Sequence, residues 1–241
     1  DADAATNPSS PAHAPPNAIT LIERVIGAHG GRDNFKKTRT GRSHLVVTGT
    51  PGLPAGSTAD VIEQFDLPLR LRRDAHTTVA GESIVVSYVI TEHGSWQRLG
   101  ESSWMPNPLS PSHTVTTFPA SIFDNLLTLA DSSEAIVVSS TESPEGKQFL
   151  VLSHEVDGHW NGDLQIDPET YLVFSVNRRV FSGAANDFVE TSTRYTDYRS
   201  IDGVPIPFKT VVLHNGNPAM QSMVKEVVFL ETLDDSAFEF D

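Results

Sequence analysis

The sequence predicts an α+β protein in which a single antiparallel β-sheet is accompanied by a few helices. Short β-branched or alternating segments recur from residue 44 to residue 230, and turn signals separate them at regular intervals, which is typical of consecutive hairpins. Two segments, 19–26 and 122–130, instead repeat apolar residues at helical spacing. We find no internal repeat and no break in the turn spacing. The pattern therefore indicates one domain.

The composition narrows the possible partners. The chain has 241 residues, 17 basic against 31 acidic ones, and a net charge of −14. Nucleic acids and anionic lipid headgroups are bound through basic patches, so this balance argues against both. Cysteine is absent, which excludes thiolate nucleophiles, disulfides and zinc–thiolate sites. No apolar run approaches the roughly 20 residues that a transmembrane helix needs.

Residues 1–17 are rich in Ala, Pro, Ser, Asn and Asp and lack apolar periodicity, which predicts a flexible tail. The tail begins at Asp1 and resembles the start of a mature exported chain after signal-peptide cleavage. We expect an exported protein with a single domain over residues 18–241.

Three helices are expected. Asn17 is a suitable N-cap for the first, which should end at Gly30-Gly31 because glycine favours the helix C-terminus. A short second helix over 32–38 would bury Phe35. The third, over 120–130, follows Pro119, and its apolar stripe consists of Ile122, Phe123, Leu126, Leu127 and Ala130.

The strands are bounded by turn residues. Asp202-Gly203 and Asn215-Gly216 are hairpin turn signals near the C-terminus. Pro205 and Pro207 alternate, so we expect them on an edge strand or at a strand start, where a missing N–H is tolerated. A proline-rich loop is expected over 101–118. The predicted strands are 44–48, 59–65, 69–73, 83–91, 95–98, 135–139, 147–154, 162–167, 171–181, 187–198, 209–213 and 222–230.

Signals for catalysis or metal binding are weak. The segment from His154 to His159 holds two histidines and two carboxylates, but His154 and Glu155 would face opposite sides of a strand. Neither the Gly-x-Ser-x-Gly pattern nor a Ser-x-x-Lys pattern in a predicted helix occurs, and glycine-rich phosphate loops are also absent. His29-Gly30-Gly31 is better explained by the end of a helix than by an oxyanion loop. We therefore expect no enzymatic activity, metal or cofactor.

The aromatic residues leave two interpretations open. Trp96, Trp104 and Trp160 lie near turns, and phenylalanines are spread along most strands. They are explained either by ordinary core packing or by a wide, curved sheet whose apolar concave face binds an apolar ligand.

Several motifs together resemble the LolA-like superfamily, which includes outer-membrane lipoprotein-sorting proteins. They are the helix ending in Gly30-Gly31, the turn followed by Trp96, the segment 166–170, the segment 197–208 and the tail 233–238. Their order and spacing match over roughly residues 18–240. The resemblance implies a strongly curved antiparallel sheet that forms an unclosed β-barrel. It also implies that the N-terminal and mid-chain helices pack across the concave face.

The same resemblance implies a non-enzymatic carrier of lipid or lipoprotein acyl chains. Because such proteins bind through the shape of an apolar cavity, no catalytic residue is carried over. The expected cavity-lining residues are Phe65, Tyr88, Trp96, Phe123, Leu126, Leu127, Phe174 and Phe208. The alternative function is that of a non-catalytic accessory subunit of an envelope complex, bound through the acidic surface and the tail. A hydrolase with an unrecognised site is a weaker third hypothesis.

Overall fold

A computed structural model describes residues 17–49, 56–67, 69–107, 121–131, 136–143, 146–156, 159–182 and 187–239. The predicted tail up to residue 16, and residues 108–118 of the predicted loop, lie outside the described residues.

The helices form where the apolar stripes predict them. Helix α1 spans Ala18–Ala28, α2 spans Arg32–Lys37 and α3 spans Ser121–Asp131. Asn17 caps α1, since its side-chain Oδ1 accepts a hydrogen bond from the Thr20 backbone N–H at 2.8 Å. Phe35 of α2 is completely buried, as expected.

Within the described ranges, the strands form one antiparallel sheet of 13 members. Neighbouring strands are consecutive in the chain, except that β1 pairs with β13 in the middle of the sheet. The two edges are therefore β6 and β7, and α3 lies between them in the chain. The strands are β1 (Thr40–Thr48), β2 (Thr58–Asp66), β3 (Arg70–Val79), β4 (Glu82–Thr91), β5 (Gly94–Leu99), β6 (Met105–Pro106), β7 (Ile136–Glu142), β8 (Gln148–Val156), β9 (His159–Ile166), β10 (Val173–Ser182), β11 (Asp187–Ile201), β12 (Val204–His214) and β13 (Asn217–Phe229).

The sheet curves around α1 and α3 without closing. One apolar cluster contains residues of both helices together with Ile90 of β4 and Leu152 of β8. These two strands are nine positions apart in the sheet. At about 4.8 Å per strand, a flat sheet would hold them roughly 43 Å apart, so a shared cluster requires strong curvature. The expected fold, an unclosed β-barrel with helices on its concave face, is confirmed.

The structure corrects the predicted loop and extends several strands. Met105 and Pro106 pair with β5 inside the segment predicted as loop. The sheet interior contains β12, so Pro205 and Pro207 are not on an edge strand. They occupy the start of β12, before its pairing with β13 begins at Lys209. Their missing N–H groups are tolerated because only β11 pairs with this part of the strand.

Two glycines permit close packing around the helices and the sheet. A Cβ on Gly41 would lie 2.4 Å from the Val228 carbonyl oxygen and 2.8 Å from the Phe65 ring, its partner on β2. Gly30 has φ +100°, and a Cβ there would lie 2.9 Å from the Gly203 carbonyl oxygen. The end of α1 therefore contacts the β11–β12 turn directly.

Candidate functional site

The concave face is the side of the sheet that carries α1 and α3, and strand alternation shows which residues belong to it. On β2, the buried positions are Ala59, Val61, Glu63 and Phe65, while the residues between them are more exposed. The same alternation holds on β1 and β3. Since paired residues of neighbouring strands share a face, the strand register extends this assignment across the sheet.

Two apolar clusters cover much of the concave face. The helix cluster joins α1 and α3 to strands of both halves of the sheet. Among the described side chains of α3, the buried ones are Ile122, Phe123, Leu126 and Leu129. The strand cluster lies further along β1–β3 and consists of Leu45, Val47, Ala59, Val61 and Ala75, none of them more than 2% exposed. Val86, Met220 and Val224 are half-buried against it.

A polar row crosses the concave face between Phe65 and Leu71 on one side and the strand cluster on the other. It consists of one residue from each of β1–β5, paired in register: Ser43, Glu63, Arg73, Tyr88 and Gln97. Glu63 is completely buried, and its Oε1 accepts a hydrogen bond from Arg73 Nε at 2.8 Å. Its Oε2 accepts another from the Ser43 hydroxyl at 3.3 Å. Ion pairing of this kind offsets the cost of burying the carboxylate.

The concave face reaches solvent at the β5–β6 edge. Met105 pairs with Gln97, and Leu99 pairs with Val86, so both belong to the concave face. Their side chains are 52% and 56% exposed, respectively. An exposed apolar rim therefore adjoins both the polar row and the strand cluster.

Most of the residues predicted to line a cavity lie on this face. Phe65, Phe123 and Leu126 are at most 2% exposed and belong to the helix cluster, and Leu127 packs half-buried against it. Tyr88 is half-buried in the polar row. Phe208 also belongs to the helix cluster.

Phe208 differs from the other predicted residues on the concave face in its charged neighbours. The guanidinium of Arg199 lies 4.3 Å from the centre of its ring. Arg199 also forms an ion pair with Asp197 at 2.7 Å, and both side chains are about half exposed. The ring of Phe208 is therefore covered by an exposed ion pair.

Two predicted residues lie on the opposite, convex face. Trp96 pairs with Val89 of β4, which in turn pairs with Arg72, so it points away from Phe65. Phe174 occupies a bulge between Val173 and Ser175. Its ring stacks on Phe149, at 4.6 Å between centroids, outside the helix cluster. Trp96 and Phe174 therefore do not line the concave face.

The C-terminal segment covers part of the convex face near Trp96. A 3₁₀ turn spans Asp235–Phe238, and Phe238 is 4% exposed. The Arg70 guanidinium lies over the Phe238 ring and forms an ion pair with Asp235 at 2.5 Å. Interactions with Asp235 first, and with Asp66 second, raise the pKa of Arg70.

A buried histidine joins the end of α1 to the sheet. His29 is completely buried, and its Nδ1–H donates to the Val25 carbonyl oxygen at 2.9 Å. Its Nε2 accepts from the Val173 backbone N–H at 3.5 Å, and the Tyr198 hydroxyl donates to the Val173 carbonyl oxygen at 2.5 Å. Desolvation lowers the pKa of His29 to about 4, against a smaller opposing effect of the Val25 hydrogen bond. The neutral ring therefore connects the end of α1 to β10 through hydrogen bonds.

Neither a metal-binding group of side chains nor a membrane-spanning helix is found among the described residues. Among them, no group of three or more His, Asp or Glu side chains has a metal-binding arrangement. Within the same ranges, none of the helices has the length and hydropathy to cross a bilayer. Part of the segment from His154 to His159 lies outside the described residues.

Comparison with known proteins supports the fold. No protein-family model and no curated protein matches the chain. A LolA superfamily protein from Nitrosomonas europaea is 12% identical, with a TM-score of 0.51 over 92% of this chain and 97% of that one. A domain from Vibrio parahaemolyticus, described as lipoprotein-sorting, is 6% identical, with a TM-score of 0.48 over 91% and 95% of the two chains. LprF from Mycobacterium bovis is 11% identical, with a TM-score of 0.31 over 88% and 94%.

The architecture defines the class of protein: an unclosed antiparallel barrel with helices across its concave face. The chain has the LolA-like fold, and the resemblance predicted from its motifs is confirmed at the level of fold.

Sequence reasoning missed the polar row. Glu63 lies at an odd-numbered position of β2, as do Ala59, Val61 and Phe65. The alternation of side chains along a strand could therefore have placed it on the buried face. No comparable sequence pattern places Gln97 in the polar row, because its position depends on the pairing of β4 with β5.

Proposed function

We propose that this protein is a non-enzymatic carrier that binds lipid or lipoprotein acyl chains on its concave face, in the periplasm or cell envelope. The observation that carries the proposal is that α3 packs on the concave face through apolar side chains. Among its described side chains the buried ones are apolar, and the described strand pairings do not involve α3. An acyl chain can replace such contacts, because apolar burial is not directional.

Burial of an acyl chain would contribute enough free energy for binding in the micromolar range. Burial of about ten CH₂ groups at about 0.8 kcal/mol each would contribute about 8 kcal/mol, equivalent to a dissociation constant of about 1 μM before the cost of association. The exposed apolar rim at Leu99 and Met105 is contiguous with the strand cluster, because Leu99 pairs with Val86, which packs against that cluster. The fold shared with a LolA superfamily protein is consistent with this role.

Native mass spectrometry of the protein isolated from its own cell envelope tests the proposal first. A co-purifying lipid mass that is lost on denaturation would support a carrier and identify its cargo class. A larger assembly without lipid would support the alternative, an accessory subunit of an envelope complex. A bare chain that also fails to bind an apolar probe in solution would contradict the carrier proposal.

A pair of substitutions on adjacent residues of β3 tests where the chain binds. Ala75 is 2% exposed in the strand cluster, whereas His76 is exposed on the convex face. Titration with 1-N-phenylnaphthylamine, which fluoresces in apolar sites, should give at least about 10-fold weaker binding for Ala75→Trp and no change for His76→Trp.

The smaller Ala75→Leu substitution keeps the test valid if the tryptophan variant does not fold. It should weaken binding by a smaller factor and in the same direction. Wild-type affinity in a folded Ala75 variant, verified by its urea midpoint, would place the binding site elsewhere.

A further inference from the structure

An arginine on the convex face of β5 holds a buried hydrogen-bond donor that the protein does not satisfy. Arg98 is half-buried, and its Nε is buried without a hydrogen-bond acceptor in the described part of the chain. It lies two residues after Trp96 on the same strand, so both side chains belong to the convex face. Buried polar groups are normally satisfied, and an unsatisfied guanidinium nitrogen therefore indicates a missing acceptor.

The carboxylate on the neighbouring strands is already occupied. Arg98 pairs with Ser87 of β4, which in turn pairs with Asp74 of β3. Asp74 Oδ1 accepts a hydrogen bond from the Ser87 hydroxyl at 2.6 Å, and its Oδ2 forms an ion pair with Arg72 at 3.0 Å. Within the described ranges, neither Arg98 nor the exposed Glu101 of the next turn forms an ion pair. The charge of Arg98 is therefore uncompensated.

An aromatic ring supports this guanidinium. The central carbon of the Arg98 guanidinium lies over the ring of Trp104, 4.7 Å from its centre, and Trp104 directly precedes β6. A guanidinium held against an aromatic ring keeps its planar fork of N–H donors, which carboxylates and phosphates bind through two parallel hydrogen bonds. The two side chains together therefore have the chemistry of an oxyanion-binding pair.

The surroundings favour a polypeptide over a small free anion. A single accessible ion pair contributes little by itself, so an inorganic anion alone would bind weakly. The same edge of the sheet also exposes Leu99 and Met105. Tryptophan, arginine and methionine are enriched in protein interfaces, and arginine and tryptophan are frequent among the residues that contribute most to binding. The β5–β6 edge combines all three residue types.

We infer that the β5–β6 edge is a docking surface for an acidic polypeptide segment, one of whose carboxylates binds Arg98. Apolar side chains of that segment cover Leu99 and Met105, and Trp104 holds the guanidinium in place. The rest of the chain adds selectivity, because its net charge of −14 repels acidic segments elsewhere. The inference does not depend on which molecule the concave face binds.

Two peptides that differ only in charge test the inference on the full chain. The probes are acetyl-Glu-Leu-Glu-Leu-Glu-amide and the analogue with glutamine in place of each glutamate. NMR of the ¹⁵N-labelled protein would follow the Nε–H signal of Arg98 and the indole N–H signal of Trp104 during titration. The acidic peptide should shift both signals to saturation and bind at least about 10-fold more tightly than its analogue.

Matched variants assign the binding to one arginine. Arg98→Gln should weaken binding of the acidic peptide at least about 10-fold, and Arg179→Gln should leave it unchanged within about 2-fold. Arg179 is a suitable control because it also lies over an aromatic ring, that of Phe188, at 5.5 Å. Arg98→Lys keeps the charge without the planar fork, so it should weaken binding by a smaller factor and keeps the test valid if Arg98→Gln does not fold.

The outcomes separate the possible occupants of the edge. Equal binding of the two peptides, or unchanged binding by a folded Arg98 variant, would overturn the inference and leave Arg98 as a structural partner of Trp104. Inorganic phosphate bound as tightly as the acidic peptide would show an adventitious ion only. Binding of phosphatidylglycerol vesicles without binding of the peptide would assign the edge to anionic lipid and also overturn the inference. None of these results bears on the carrier function, because Arg98 lies on the convex face.

Discussion

Burial of His29 should make the stability of the fold depend on pH below neutrality. Desolvation is the main reason that its folded-state pKa is about 4 rather than the ordinary 6.5. Protonation would place an Nε2–H against the Val173 backbone N–H, which is also a donor. The unfolded chain therefore binds this proton at a higher pH than the folded chain does.

The sign and size of the effect follow from these two pKa values. Between pH 6.5 and about 4 the unfolded state binds more protons, so stability falls as pH falls. At 1.36 kcal/mol per pKa unit, the full loss is about 3 kcal/mol once pH is below both values. At pH 5 the loss is about 2 kcal/mol, whereas at pH 7.5 it is close to zero.

Urea unfolding at pH 5 and pH 7.5 measures this contribution. His29→Gln retains a donor for the Val25 carbonyl oxygen and an acceptor for the Val173 N–H but cannot be protonated in this range. The pH-dependent loss of unfolding free energy should therefore be about 2 kcal/mol smaller in His29→Gln than in the wild type. His93→Gln is the matched control, because the His93 side chain is 81% exposed. An equal pH dependence in the wild type and His29→Gln would refute the reasoning.

Two further predictions concern close packing and the buried ion pair. Gly41→Ala should destabilise the protein by about 1–3 kcal/mol in urea unfolding because its Cβ would meet Phe65, whereas Gly27→Ala, in open space on α1, should stabilise it by about 0.5–1 kcal/mol. A Gly41→Ala protein as stable as the wild type would contradict the packing argument. Arg73→Met leaves Glu63 buried without this partner and should cost about 3–5 kcal/mol, much of which the double variant Arg73→Met with Glu63→Leu should restore. A double variant no more stable than Arg73→Met would show that the loss does not come from the isolated carboxylate.

The local elements could be predicted because their signals are local. The N-cap at Asn17 and the apolar stripe of α1 depend on residues within one helix, and the structure confirms both. The turns at Gly203 and Gly216 likewise follow from positive φ angles that glycine adopts readily. The LolA-like fold was predicted through the order of several such signals, each weak by itself.

The faces of the strands could not be predicted reliably because they depend on register and on irregularities in pairing. Phe174 points away from the helix cluster because of a bulge beside Val173. Trp96 points away because β5 pairs with β4 in the register that aligns it with Val89. A change of one residue in either register would exchange the two faces.

By itself, the sequence determined the helices, most strands, the turns and the acidic, cysteine-free character of the chain, because these depend on residues that are near one another or on composition alone. Only the tertiary structure decided that Glu63, Arg73, Tyr88 and Gln97 form one polar row on the concave face. It also decided that helices distant in the chain share a core with both halves of the sheet. The physical reason is that curvature and strand register bring together residues that no local pattern relates.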